Sequence, residues 1–329
     1  MATVVVVSVD SGNADDMNIY GVVIVGGGAA GLSAALVLTR ARRLVAVVDT
    51  GEPRNAPAAH MQGFLGSDGM PPRELLAAGR REVSSYGGDL IDGRVSRIEP
   101  FSVEDGSPMF DVVVDDGSPL RTRRLIVTTG LSDEIPEIPG ARDRWGRDLL
   151  HCPYCHGHEV RDQPLGVLGG TPEAVAHAQL VRQWSADVVF FSRGAGLTTE
   201  QREDLAARDI RIVETAVTRL VVEADRLSGV ELETGEMVPR TAVFVRPAFV
   251  PHDSLLTTLG CTTDEAGWVR VDGTGRTSVP GVWAAGNAVN PRAQVITAAG
   301  EGSAAAIAVN NDLVDEDVRV AVARSRVRR

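Results

Sequence analysis

Short apolar runs closed by glycine or an acid alternate in this chain with stretches of helical period. That is the pattern of strands buried on both faces and of the helices that cover them. Residues 21–25 form the first run and pass directly into Gly26, Gly27, Gly28, Ala29, Ala30 and Gly31. An amphipathic stretch continues to Arg40, and a second run, 44–48, ends at Asp49, 18 positions after Gly31. Pro71 and Pro72 suit the first turn of a helix, predicted over 73–86. Residues 95–99, 110–115 and 123–128 read as strands, and the last runs into Thr128, Thr129 and Gly130. A second strand–turn–helix–strand unit follows: 165–168, then Gly169, Gly170 and Thr171, a helix over 172–184, and a strand over 188–191. Thr198 and Gln201, at capping-box spacing, open a helix to Arg208. Short strands are predicted at 210–213, 230–232, 242–245 and 269–271, and a strand ending in a Gly-Asn turn at 278–287. A long Ala-rich helix is predicted over about 297–310.

Pro136 with Pro139-Gly140, and later residues 247–251, mark two crossings between domains. Two crossings imply a first domain that resumes after a second has been inserted into it. The expected division is 19–135 with 247–315 for the first domain and 136–246 for the insert. Residues 1–18 read as an N-terminal extension, and 316–329 as a basic, solvated tail.

The first unit has the order strand, G-x-G-x-x-G, helix, strand, acid. Its glycines let backbone reach a pyrophosphate at a helix N-terminus, and the acid accepts from a ribose hydroxyl. Asp49 stands 23 positions after Gly26, and Ser192 stands 23 after Gly169, so the two units match in spacing. They differ in chemistry: Thr171 replaces a glycine, and Ser192 holds the place of the acid. The second unit is then a dinucleotide fold whose nicotinamide site is either lost or degenerate. Arg54, Asn55 and His60 are polar candidates for a cofactor or substrate lip, or belong to an ordinary surface loop.

Composition narrows the chemistry. A length of 329 residues allows two cores, and a net charge of −11 argues against nucleic acid as a partner. All 33 basic residues are arginines, which removes Schiff-base and P-loop chemistry. No run reaches the roughly 18 apolar residues of a membrane helix. Three cysteines make no disulfide framework, and a functional pair in a cytoplasmic protein fits them better. Two of them lie in His151-Cys152-Pro153-Tyr154-Cys155-His156-Gly157-His158, which also holds three of the six histidines. Such a Cys-x-x-Cys pair is either a redox disulfide, served by imidazoles that take up protons, or a metal knuckle. Cys261 reads as a small buried hydrophobe.

The layout resembles the low-molecular-weight thioredoxin reductases, FAD-dependent disulfide oxidoreductases, over about residues 19–315. The resemblance rests on Gly26 to Gly31 with Asp49, Thr128 to Gly130, Cys152 to Gly157, Gly169 to Ala174, and Thr277 to Gly302. It implies an α/β fold of two Rossmann-like, three-layer ββα dinucleotide-binding domains, the second inserted in the first. It implies FAD held by Gly26, Gly28, Ala29, Ala30, Gly31, Asp49, Arg54, Asn55, Thr129, Gly130, Gly286, Asn287, Gln294 and Val295, and a homodimer. It also implies a Cys152–Cys155 disulfide that exchanges electrons with the flavin, Cys155 being the cysteine beside it. With this resemblance in hand, no metal is expected.

The departures from that family are informative. Thr171 stands where the reductases carry a third glycine. Ser192-Arg193-Gly194 stands where they carry His-Arg-Arg for the NADPH phosphate, leaving one arginine of a clamp. His156 takes the place of an acid after the redox pair, and Asn287 that of an aspartate at the flavin. The run Cys-Pro-Tyr-Cys-His-Gly-His-Glu is similar to a branch of the family, the dithiol oxidases that close disulfides in holomycin-like and gliotoxin-like natural products. That branch keeps FAD, dispenses with NADPH and passes electrons to oxygen. The expectation is a dithiol oxidase of antibiotic biosynthesis and self-resistance, with a small-molecule dithiol and O2 as its partners. Cys152 and Cys155 carry the exchange, His156 is the first candidate base, His151 the next, and His158 serves catalysis or structure. The rivals are an NADPH-driven thioredoxin reductase and a flavin-free zinc or scaffold protein.

Overall fold

The computed structural model describes residues 19–327 except 104, 116, 118 and 195. The expected N-terminal extension, 1–18, lies outside the described residues. The chain divides into two compact units, one of residues up to Arg54, Arg73–Ser132 and Pro251 onward, the other of Asn55–Pro72 and Asp133–Val250. Loop 55–72 groups with the second unit, where the sequence placed it in the first domain. One reason is that Gly146 packs so closely on Pro57 that a Cβ would come within 2.9 Å of the proline ring.

In chain order the elements begin with β1 (Ile19–Val25), α1 (Ala29–Arg40), β2 (Val45–Asp49), α2 (Pro72–Ser85) and β3 (Asp89–Asp92). Next come β4 (Val95–Ser102), β5 (Pro108–Val114), β6 (Pro119–Val127) and β7 (Leu131–Glu134). The second unit holds α3 (Ala141–Arg144), β8 (Leu149–Leu150), α4 (Pro153–His156), β9 (Leu165–Leu168), α5 (Ala174–Val181), β10 (Val188–Phe191), α6 (Thr199–Ala206) and β11 (Arg211–Val213). It continues with β12 (Val217–Glu223), β13 (Arg226–Leu232), β14 (Met237–Pro239), β15 (Ala242–Phe244) and β16 (Ala248–Pro251). The chain ends through α7 (Ser254–Thr258), β17 (Val282–Ala284), a 3-10 turn at Gly286–Ala288, and α8 (Val295–Val327).

The first unit is built on one sheet in the order β3-β2-β1-β6-β5-β4, with β17 also pairing β6. The pairs among β1, β2, β3, β6 and β17 are parallel, and β4 and β5 join antiparallel. Both faces of β1 are apolar because both are covered. Val23 and Val25 pack with Ala46, Val48 and Phe110 on one side. Val22 and Ile24 pack with Ala34, Leu38, Val309 and Leu313 of α1 and α8 on the other.

The second unit has a parallel sheet, β11-β10-β9-β15-β8, and an antiparallel one, β12-β13-β14. Leu165, Val167 and Phe190 of the parallel sheet pack on Ala178 and Val181 of α5 and Leu205 of α6. Its other face, with Leu168, Val189 and Val243, packs on Leu220, Val230 and Val238 of the antiparallel sheet, which completes three layers. The capping box of α6 is present, with Thr198 Oγ1 accepting from Gln201 N–H and Gln201 Oε1 accepting from Thr198 N–H. The two crossings run as a two-stranded sheet of β7 and β16. His252 fastens the first unit there: its N–H donates to Gly130 O, its Nδ1 lies 3.0 Å from Thr129 O, and its Nε2 2.7 Å from Ser132 Oγ.

Four expectations are corrected. Residues 269–271 make only an isolated bridge, Thr263 to Val269, and the strand expected over 278–287 is confined to Val282–Ala284. The last helix does not stop near 310, and 316–327 is not a tail. α8 continues to Val327 because Asp312, Glu316 and Asp317, at helical spacing, each meet an arginine. Arg124, only 2 % exposed, reaches Asp312 and Glu316, Arg276 also reaches Asp312, and Arg43 and Arg123 hold Asp317.

α8 passes α1 so closely that a Cβ on Gly302 would collide with the carbonyl of Ala30. Gly302→Ala should therefore lower the stability of the folded protein by about 2 kcal/mol or more. Gly300, two residues earlier in the same helix, has nothing within 4 Å of such a Cβ, and Gly300→Ala should raise stability by up to about 1 kcal/mol. Urea midpoints of the two variants, of opposite sign, check the contact.

Candidate active site

The first dinucleotide turn is an open cradle. Gly26 N–H donates to Val48 O, and φ is +103° at Gly26, where a Cβ would lie 2.5 Å from Thr128 O. A Cβ on Gly31 would collide with Gly26 O, so α1 rises directly from the turn. Thr128 Oγ1 donates to Gly26 O at 2.8 Å and ties the end of β6 to the same loop. Gly28 caps α1 without a side chain and faces open space, and the first intrahelical bond is Leu32 N–H to Gly28 O. The N–H groups of Ala29, Ala30 and Gly31 are thus the leading donors of a helix N-terminus, with its positive field. Asp49 Oδ1 accepts from Gly27 N–H at 2.8 Å, and Oδ2 lies 3.6 Å from Arg80 Nη1. The acid therefore fastens the loop at the edge where a ribose is expected.

Gly286 donates its N–H to Glu301 Oε2 at 2.9 Å, and Glu301 Oε1 accepts from Asn290 Nδ2 at 2.7 Å. Glu301 was missed in the sequence reading; its only signal was its place beside Gly302 in the stretch that carried the resemblance. The amide of Asn287 donates to Asn290 O and Ala293 O, and its Oδ1 accepts from Arg54 Nη1 at 3.1 Å. Arg54 and Asn287 are thus brought together, while Asn55 falls in the loop that groups with the second unit. Gln294 and Val295 stand half-buried at the start of α8, where Gln294 O accepts from Ala298 N–H.

Cys152 and Cys155 form a disulfide on α4. Cys152 caps that single turn, its carbonyl accepting from Cys155 N–H and His156 N–H. Tyr154, 66 % exposed, leans edge-on against Trp184 at 5.7 Å. Burial pushes the His156 imidazole below its ordinary pKa, and nearby Glu159 opposes that, so the ring is a neutral base at pH 7. His151 is held through Nδ1, 3.2 Å from Val245 O, and meets the Phe249 ring edge-on at 5.3 Å. His158 is exposed. His177, which carried no signal in the sequence, is buried beside them, with Nε2 3.0 Å from His151 O. Burial first, then His151 and Arg246, push its pKa down to about 4. Among the described residues no three His, Cys, Asp or Glu side chains cluster as metal ligands.

The second dinucleotide turn is differently furnished. Gly169 N–H donates to Phe191 O, as Gly26 does to Val48 O, but the left-handed residue is Gly170. Arg193 folds back, donating from Nη1 to Gly169 O at 3.3 Å, and its guanidinium lies against Gly170. Thr171 Oγ1 is buried without a partner, and Glu173, an acid, caps α5.

A glycine cradle at a helix start, an acid after the next strand and a Cys-x-x-Cys disulfide in a second dinucleotide unit define an FAD-binding disulfide oxidoreductase. The chain belongs to the pyridine nucleotide-disulphide oxidoreductase family, which it matches over residues 20–302. It is 30% identical to thioredoxin reductase sirT of Leptosphaeria maculans, over 94% of this chain and 98% of that protein. The solved structure of HlmI is 57% identical, with a TM-score of 0.92, and the match covers 96% of this chain and 99% of that one. A thioredoxin reductase from Bacillus anthracis is 32% identical at a TM-score of 0.84, over 91% and 99% of the two chains. The cradle fits FAD, since Gly28 leaves room for a pyrophosphate at the uncapped start of α1.

Two outcomes follow. Glu301→Ala should free the Gly286 turn and cut FAD retention about tenfold, for the loss of roughly 1.4 kcal/mol of charge-assisted hydrogen bonding; the flavin-to-protein ratio after dilution measures it. Because His177 is harder to protonate folded than unfolded, where its pKa is near 6.5, the unfolded chain binds more protons between pH 6.5 and 4. Stability should therefore fall as pH drops through that window, by up to about 3 kcal/mol from this ring, and His177→Gln should flatten the fall. Urea midpoints at pH 7 and pH 4.5 check it.

Proposed function

We propose that this protein is an FAD-dependent dithiol oxidase that closes a disulfide within a small-molecule dithiol and uses O2, giving H2O2. The observation that carries the reading is the contrast between the two dinucleotide turns. The first is open at Gly28, whereas the second has Arg193 laid across Gly170, a Thr171 hydroxyl buried without a partner and an acid at the helix cap. An acid at that helix start repels a pyrophosphate, and a guanidinium donating to its own loop is withdrawn from a 2′-phosphate. Electrons are then to be supplied by the thiol substrate rather than by NADPH.

The chain's own residues serve that direction. A substrate thiol gives its proton to His156 or His151, and the thiolate attacks Cys152 Sγ, breaking the bond to Cys155. The second substrate thiol then attacks the first sulfur, Cys152 leaves as a thiolate, and the product departs as a cyclic disulfide. Imidazole suits this step better than a carboxylate, because a neutral base near pH 7 collects the proton that the thiol must lose. FAD, when bound, supplies the two-electron path that returns the cysteine pair to the disulfide and passes the electrons to oxygen.

The names of the relatives favour a second reading, an NADPH-dependent thioredoxin reductase. Anaerobic stopped-flow mixing separates the two. A small dithiol should bleach the flavin absorbance within seconds and NADPH should not, and bleaching by NADPH alone would sink the oxidase reading. Cys155→Ser should stop both turnover and flavin bleaching by the dithiol, because no enzyme disulfide is left for the substrate thiolate to attack; the flavin absorbance of the variant mixed with the dithiol checks it.

A further inference from the structure

We propose that His177 is a positioning residue for the redox pair: from α5 its Nε2–H holds the carbonyl of His151 and so fixes the main chain that presents Cys152. This rests on Cys152–Cys155 being the pair that turns over, and not on which substrate or electron acceptor it serves.

His151 is gripped from two sides. α5 holds its carbonyl through His177 Nε2 at 3.0 Å, and the residue after β15 holds its ring through Val245 O, 3.2 Å from Nδ1. Cys152 follows immediately, and its carbonyl closes the turn of α4 by accepting from Cys155 and His156. The path from α5 to the redox pair is thus one hydrogen bond, from His177 to the His151 carbonyl, and the peptide bond from His151 to Cys152.

The state of the His177 ring is set by its surroundings. The side chain meets the Phe244 ring edge-on at 6.1 Å and the His151 ring at the same separation; the residue is 5 % exposed, and its backbone N–H closes the first turn of α5 on Glu173 O. The titratable and charged groups that bear on it are His151 and Arg246, both of which oppose a positive charge there. The ring is therefore neutral at neutral pH, and since Nε2 must carry the hydrogen to donate to a carbonyl, Nδ1 is a bare acceptor. That Nδ1 is buried with no partner. A buried polar atom without a partner costs about 1–3 kcal/mol, which a leucine of similar size would avoid. A residue that serves packing alone has no reason to bear that cost, whereas one that must donate a hydrogen bond at this point does. Neutrality matters too, because a charged donor 6.1 Å from the His151 ring would couple to each proton that His151 takes up.

The test uses the FAD-loaded protein in a Cys155→Ser background, where Cys152 is the one thiol left of the pair, and compares three replacements. Gln places an amide N–H where Nε2 stood, Asn is too short to reach, and Leu fills the space without a donor. The rate of Cys152 alkylation by iodoacetamide is followed by mass spectrometry across pH 5 to 9. The equilibrium of the intact pair with dithiothreitol is measured in parallel without the background change. His177→Gln should keep both within about twofold of the parent. His177→Asn and His177→Leu should slow alkylation at pH 7 by about tenfold, the value of one hydrogen bond of roughly 1.4 kcal/mol, and move the midpoint of the pH profile. If His177→Leu does not fold, the Gln and Asn variants decide between them. Unchanged pH profile and equilibrium in Asn, or a loss in Gln as large as in Asn, would overturn the proposal. A parent pair that dithiothreitol does not reduce in the folded protein would overturn the redox reading itself, and with it the role of His177.

Discussion

The first unit depends on one close approach, the backbone of α8 at Gly302 against the carbonyl of Ala30 at the start of α1. Three parts of the flavin cradle meet at that contact. Ala30 belongs to the glycine loop, Glu301 beside Gly302 holds the N–H of Gly286, and Gly286 in turn lies against the Ala30 methyl. α8 can lie there because its carboxylates at 312, 316 and 317 are anchored on four arginines, two of them on β6. A buried Arg124 with two acids is of uncertain net worth to stability. It does define which face of α8 meets the sheet, and so where Gly302 falls.

The two dinucleotide units share a plan and differ in how their turns are filled. In the first, the acid after the second strand accepts a backbone N–H and stiffens an otherwise bare loop. In the second, the residue at that place is Ser192, and the arginine after it turns inward onto the loop. Burial lowers the proton affinity of that guanidinium, as expected for a cation that has left water without a carboxylate to meet it. An arginine that in solvent would draw phosphates is here a prop for the turn.

Much of this was legible because it rests on local rules. The glycine loop, the acid 23 positions from Gly26, the capping box at Thr198 and the Cys-x-x-Cys turn each follow from backbone sterics or hydrogen-bond valence over a few residues. The alternation of β1 into two cores also follows, since period two with apolar residues on both faces has few other solutions. The expected end of α8 near 310 failed for the opposite reason. Its last turns carry acids and valines of modest helix propensity, and only arginines from β2's approach and from β6, far away in sequence, make that stretch helical.

The sequence by itself determined the class of protein, because phosphate cradles and vicinal dithiols need particular residues at particular short spacings. Tertiary structure alone decided which polar groups meet. It gave Glu301 to Gly286, Arg54 to Asn287, Arg193 to its own loop, and His177 to the carbonyl ahead of Cys152. Those pairs join residues from 15 to 233 positions apart. Chain proximity says nothing about such pairs, and burial, which makes an unpaired polar group costly, enforces them.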